Sequence, residues 1–171
     1  MGETRIFTSG DWAQLVAAPG HVMTLVTGSS PSESLGSLQE LLAAVQGIRE
    51  LAETCGDTLL MQQLRERLLG EGAVEDFRQG LLALAAEAVE RYASPESAAH
   101  DQALAGIRAA GELVDARGSM EEALEYKLFL MAIGQKAAEA SREGGFLGLG
   151  AVRVSDAENT ELDEIQQVLQ L

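Results

Sequence analysis

The sequence predicts an all-α fold, and three observations carry that expectation. Ala, Leu and Glu dominate a 171-residue chain with only three prolines, and aromatics make up 4% of it, so the core must be aliphatic and helix formers prevail. Helix-start signals recur along the chain. Between them, apolar residues fall at steps of three and four, the spacing of one helix face.

The start signals are specific. In Ser30-Pro31-Ser32-Glu33 the serine is an N-cap, Pro31 takes the first helical position and Glu33 reaches back to the cap. Ser119-Met120-Glu121-Glu122 and Ser155-Asp156-Ala157-Glu158 repeat the box, and Ser94-Pro95-Glu96 is a fourth start.

The expected elements follow in order. Thr8 to Ala18 is a short helix with Trp12, Leu15 and Val16 inward; Pro19 breaks it and begins a second helix through Val22, Leu25 and Val26 to Gly28. The helix from Pro31 carries Leu35, Leu38, Leu42, Val45, Ile48 and Ala52 as a narrow stripe. Asp57 to Leu69 is closed by Gly70, and Glu75 to Tyr92 places Phe77, Leu81, Leu84, Ala88 and Tyr92 inward. An alanine-rich helix spans Pro95 to Arg117. Met120 to Arg142 is apolar over a wide arc (Leu124, Leu128, Phe129, Leu130, Met131, Ile133), which marks a central helix. Asp156 to Leu169 ends the chain with Leu162, Ile165 and Leu169 on one face. Only Leu147 to Val154 alternates with period two, so the glycine-rich stretch 144–154 is expected as a small β-hairpin or a loop. The expectation is a single domain over 1–171, a bundle of seven to eight helices.

Charge limits the partners. With 27 acidic and 12 basic residues, the net charge of −15 repels nucleic acid and anionic headgroups. A protein partner with a basic or apolar surface, or a bound cation, suits it better, and a homodimer is compatible with it. No segment has the apolar length of a membrane span, and Met1 to Phe7 has no signal-peptide core, so a cytoplasmic protein is expected. Cys55 is the only cysteine, near the end of an apolar stripe where a buried, inert thiol is the usual case.

No catalytic constellation is visible. The four glycines between Gly144 and Gly150 follow a helix rather than a strand, with neither a Walker lysine nor a G-x-G-x-x-G order. They read as a helix C-cap and a corner, with Phe146, Leu147 and Leu149 folded onto the core or forming an apolar docking tip. The acids Asp156, Glu158, Glu161, Asp163 and Glu164 offer a second candidate. On a helix, Glu158 and Glu161 share a face, as do Glu161 and Glu164, and hard cations take several such oxygens. The first-turn acids also stabilise the helix dipole with no ligand at all. His21 and His100 have no partner at metal-helix spacing in the sequence, save Asp101 beside His100, which points elsewhere on a helix.

The tail resembles the tellurite-resistance TerB-like helical proteins. Glu143-Gly144, then Val154-Ser155-Asp156-Ala157-Glu158 and an L-x-x-I-x-x-x-L helix, match an acidic-Gly turn followed by a hydrophobic-Ser-x-x-Glu helix start. The segment is also similar to the tail of small bacterial proteins with G-G-F-L-G-x-G before V-S-x-x-E. Thr27-Gly28 and Ser30 to Glu33 would form the other half of a pseudo-repeat, although Thr27 stands where the family has Asp and Glu143 replaces an Asp. The resemblance implies a helical fold, a stress-related or accessory role, and a metal site at Glu143 and Glu158, to which the neighbouring acid Glu161 is added.

Three functions follow. The first is a non-enzymatic protein that works through protein binding, with no cofactor, at Phe146, Leu147 and Leu149. The second is a TerB-like accessory protein holding a divalent cation at Glu143, Glu158 and Glu161. The third is an enzyme whose site is assembled from scattered residues.

Overall fold

The structure is a computed structural model and describes residues 7–28, 47–70, 96–143 and 156–171. Within them are six helices: α1 (Ser9–Gly28), α2 (helical over 47–54), α3 (Leu59–Leu69), α4 (Glu96–Arg117), α5 (Met120–Glu143) and α6 (Asp156–Leu169). No strand occurs among the described residues, which form an all-α bundle, as composition and spacing predict. The expected helix over 75–92 and the hairpin or loop at 144–154 lie outside the described residues.

Helices α1, α4, α5 and α6 form the main part of the core, to which α2 adds Ala52 and α3 adds Leu60, Met61 and Leu64. Asp11 meets Arg117 and His21 lies against Gly106, so α1 and α4 run antiparallel. Leu15 meets Tyr126, while Val22 and Val26 lie by Gly134, so α1 and α5 run in the same direction. Helix α6 runs parallel to α4, with His100 beside Glu161 at one end and Gly111 beside Leu169 further along. The buried side chains keep helical spacing: Leu15, Ala18, Val22 and Val26 from α1, Ala103, Ile107, Ala110 and Val114 from α4, and Phe129, Leu130 and Ile133 from α5. Ile165 and Leu169 of α6 are fully buried against them. Burial of such a stripe stabilises each helix far more than its intrinsic propensity does.

Of the four start signals only the one at Ser119 lies wholly within the described residues, and it holds. Ser119 Oγ accepts from the Glu122 amide at 3.2 Å, and the Glu122 carboxylate accepts from the Ser119 amide at 2.8 Å, the reciprocal pair expected of that box. A box not anticipated opens α1: Thr8 Oγ1 accepts from the Asp11 amide at 3.2 Å, and the Asp11 carboxylate accepts from the Thr8 amide at 2.6 Å. The start of α3 is capped from another helix. Glu125 of α5 accepts from the amides of Asp57 and Thr58 at 3.4 and 3.1 Å, and Glu122 accepts from Leu60 at 3.3 Å. The C-terminal carbonyl of Ala52 on α2 and that of Gly56 both take bonds from the Arg65 guanidinium.

Two expectations are corrected. Pro19 does not break the first helix, because α1 runs unbroken from Ser9 to Gly28 with Pro19 inside it. A proline has no N–H to give the carbonyl four residues back, here Leu15. That carbonyl instead accepts from the buried Tyr126 hydroxyl at 2.9 Å, so the orphan acceptor is satisfied across the α1–α5 interface. The two helices expected over 8–28 are therefore one. The arc of α5 is also narrower than expected: Phe129, Leu130 and Ile133 face the core, but Leu124 and Leu128 are 49% and 52% exposed. No helix among the described residues is long and apolar enough to cross a membrane.

Candidate metal centre

His100, Glu161 and Glu164 meet where α4 and α6 lie side by side. His100 stands in the second turn of α4, one turn before buried Ala103, and the same helix face carries it toward α6. On α6, Glu161 and Glu164 are three residues apart and share a face. They flank the apolar stripe of Leu162, Ile165 and Leu169 that seats the helix. Burial of that stripe fixes the rotation of α6 and with it the aim of both carboxylates.

The distances are short. His100 Nε2 lies 3.1 Å from Glu161 Oε2 and 3.4 Å from Glu164 Oε2. One donor atom from each of the three residues lies within 4.8 Å of the others, and all three side chains are half-buried. A cation bound at about 2.0–2.2 Å from each ligand would place neighbouring ligands roughly 3–3.5 Å apart, and both nitrogen–oxygen separations fall in that range. The other ring nitrogen, Nδ1, lies 3.8 Å from Asp101 Oδ1, so a carboxylate stands behind the imidazole as well.

Chemically, the cluster can hold a proton or a cation. A proton on Nε2 would be donated to one of the two carboxylates. A divalent cation would take the Nε2 lone pair and an oxygen from each glutamate at once, cancelling both negative charges. Two carboxylates at this separation repel by about 1–3 kcal/mol, depending on how water-like their surroundings are, and a cation turns that repulsion into attraction.

The residues singled out from sequence fall differently. Glu161 belongs to the cluster, and its pairing with Glu164 is the helix-face relation expected of the acidic segment. Glu143 is the last residue of α5 and Glu158 lies in the first turn of α6, but their side chains are outside the described residues. Phe146, Leu147 and Leu149 lie wholly outside the described residues. His100 is the correction: it does not stand alone, because the fold brings to it the carboxylates of Glu161 and Glu164, more than 60 residues away. No local spacing could have signalled that. His21 is packed over Gly106, and Cys55 is a free, half-buried thiol rather than a buried one.

Compared with models of known protein families, with curated proteins and with solved structures, the chain matches none of them.

Proposed function

We propose that this protein binds a divalent cation at His100, Glu161 and Glu164 and acts as a TerB-like metal-binding accessory protein. The observation that carries the reading is the convergence of one imidazole nitrogen and two carboxylate oxygens from two helices within 4.8 Å. The imidazole sets the metal class. Ca²⁺ and Mg²⁺ prefer all-oxygen sites, whereas a mixed nitrogen and oxygen set suits Mn²⁺, Fe²⁺, Co²⁺, Ni²⁺ or Zn²⁺. The net charge of −15 raises the local concentration of any cation. Resemblance of the tail to the TerB-like proteins points the same way, with the site one turn further along the last helix than Glu158. Cytoplasmic location and the absence of a reaction belong to this reading.

Titration calorimetry with Mn²⁺, Zn²⁺, Mg²⁺ and Ca²⁺ tests it. Saturable heat with Mn²⁺ or Zn²⁺, abolished by His100→Ala and by Glu164→Gln, is the expected result. Retention by Glu143→Gln and Glu158→Gln places the site at the cluster; loss in those variants returns it to the set read from the sequence. No heat with any of the four metals overturns the proposal.

A second reading, protein binding, is favoured by one observation. Met120, Leu124 and Leu128 form an exposed stripe along α5, with Met120 90% exposed, beside exposed Glu121. A partner helix with apolar and basic faces fits that stripe. Titration with an amphipathic Lys/Leu peptide tests it: binding that Leu124→Glu abolishes supports the reading, and binding that the substitution leaves unchanged removes it.

A further inference from the structure

We infer that the cation at His100, Glu161 and Glu164 is a latch that controls docking of helix α6 on the rest of the bundle. The inference rests on the metal reading above and adds a regulatory role to it.

Two opposed features of α6 support it. Its apolar face is seated deeply. Ile165 and Leu169 are fully buried, Leu162 reaches so close to Gly134 that a Cβ there would lie 2.9 Å from it, and a Cβ on Gly111 would lie 3.2 Å from Leu169. These glycines are shallow seats for side chains of α6, and Val22 and Val26 line the same groove. The polar face works against docking. The helix, DAENTELDEIQQVL, carries five acids and no lysine or arginine. Docking sets Glu161 and Glu164, already neighbours on α6, beside His100 and Asp101 of α4, in a protein whose net charge is already −15. The apolar face drives docking, while the five acids of α6 are carried onto an already acidic protein, which opposes it.

A divalent cation reverses the second term only. Its ligands come from both partners of the interface, His100 from α4 and two glutamates from α6, so the complete site exists only when α6 is docked. A ligand that binds one state of a two-state element shifts the equilibrium by its differential affinity. With the cation at ten times its Kd and no affinity for the undocked state, docking is favoured about 11-fold. Withdrawal of the cation lowers that preference by the same factor, so α6 opens more often and bares the groove lined by Val22, Val26, Gly111 and Gly134.

Amide hydrogen exchange on the full chain, read by mass spectrometry at pH 7.5 with Mn²⁺ or Zn²⁺ and then with EDTA, tests this. The α6 amides are expected to exchange about 10-fold more slowly with metal, while amides around Tyr126 do not change. His100→Ala abolishes that response. Glu161→Gln with Glu164→Gln slows α6 exchange without metal and makes it insensitive to metal, which loss of a purely structural contact would not do. Calorimetric binding with unchanged α6 exchange overturns the latch and leaves the metal site standing. No binding heat overturns both.

Discussion

The bond from Tyr126 to Leu15 can be tested by a cycle of four proteins. Tyr126 is fully buried, and its hydroxyl donates at 2.9 Å to the carbonyl that Pro19 cannot serve. Burial pushes the phenol pKa up, so the group remains a donor through the neutral and mildly alkaline range. Tyr126→Phe keeps the ring and strands a buried carbonyl. A lost bond with an unsatisfied acceptor costs about 1–3 kcal/mol, which for a domain of this size lowers Tm by about 2–4 °C per kcal/mol. Pro19→Ala restores an N–H four residues after Leu15. In that background the carbonyl has its helical donor, and Tyr126→Phe should cost about 1 kcal/mol less than in the native chain. Urea denaturation of the native, two single and double variants, compared at equal m-value, gives the coupling directly. The cycle is indifferent to whatever Pro19→Ala does alone. Equal cost of Tyr126→Phe in both backgrounds, within about 0.3–0.5 kcal/mol, would refute the claim that the tyrosine substitutes for the missing amide.

Other outcomes follow from the same packing. Gly56 holds a φ of +71° and its Cβ would collide with the Glu125 carboxylate, so Gly56→Ala should destabilise by about 1–2 kcal/mol and loosen the start of α3 in hydrogen exchange. Gly106→Ala places a Cβ 2.5 Å from the His21 ring. Its loss of about 1–3 kcal/mol from overpacking, read by thermal melting, should exceed the gain in helix propensity of about 1 kcal/mol. Glu125 is held below the usual carboxylate range, chiefly by the Thr58 hydroxyl; burial opposes this, and the Thr58 and Asp57 amides add to the lowering. Asp11 is lowered too, by the Thr8 amide and hydroxyl first and Arg117 last. A depressed folded pKa means stability that is present above the unfolded value and lost as pH falls through the folded one. Tm should therefore decline below about pH 4.5, and Glu125→Gln should flatten part of that decline; an unchanged profile would remove Glu125 from the acid response.

How much of this was legible in the sequence depends on the range of each interaction. The box at Ser119 and Glu122 is written in four consecutive residues, and the structure realises it in both directions. The stripe of α6 and the pairing of Glu161 with Glu164 are equally local. Pro19 misleads because the rule for proline concerns one carbonyl, and that carbonyl finds a donor 111 residues away. Leu124 and Leu128 mislead because hydrophobicity marks residues able to be buried, not residues that are. His100 was invisible for the same reason as the tyrosine: its partners come from another helix. An apolar stripe that sets the rotation of α6 brings them there, so the site follows from core packing rather than from a motif.

The acids of α6 support a ligand more strongly than they support the fold. Ile165 and Leu169 are fully buried without help from any charge, so docking does not need carboxylates at 161 and 164. Glutamines there would keep the helix and a hydrogen bond to His100 while removing the mutual repulsion. Half-exposure and salt reduce that repulsion to the scale of surface pairs, about 0.2–1 kcal/mol. In metal-free buffer Glu164→Gln should therefore raise Tm by up to about 2–4 °C, and with Mn²⁺ or Zn²⁺ in excess the order should reverse, the native chain becoming the more stable. A native chain that melts above Glu164→Gln in EDTA would mean that the cluster is a stabilising His–carboxylate clamp. The crossing of the two melting temperatures on adding metal is the signature that separates a cation site from that clamp.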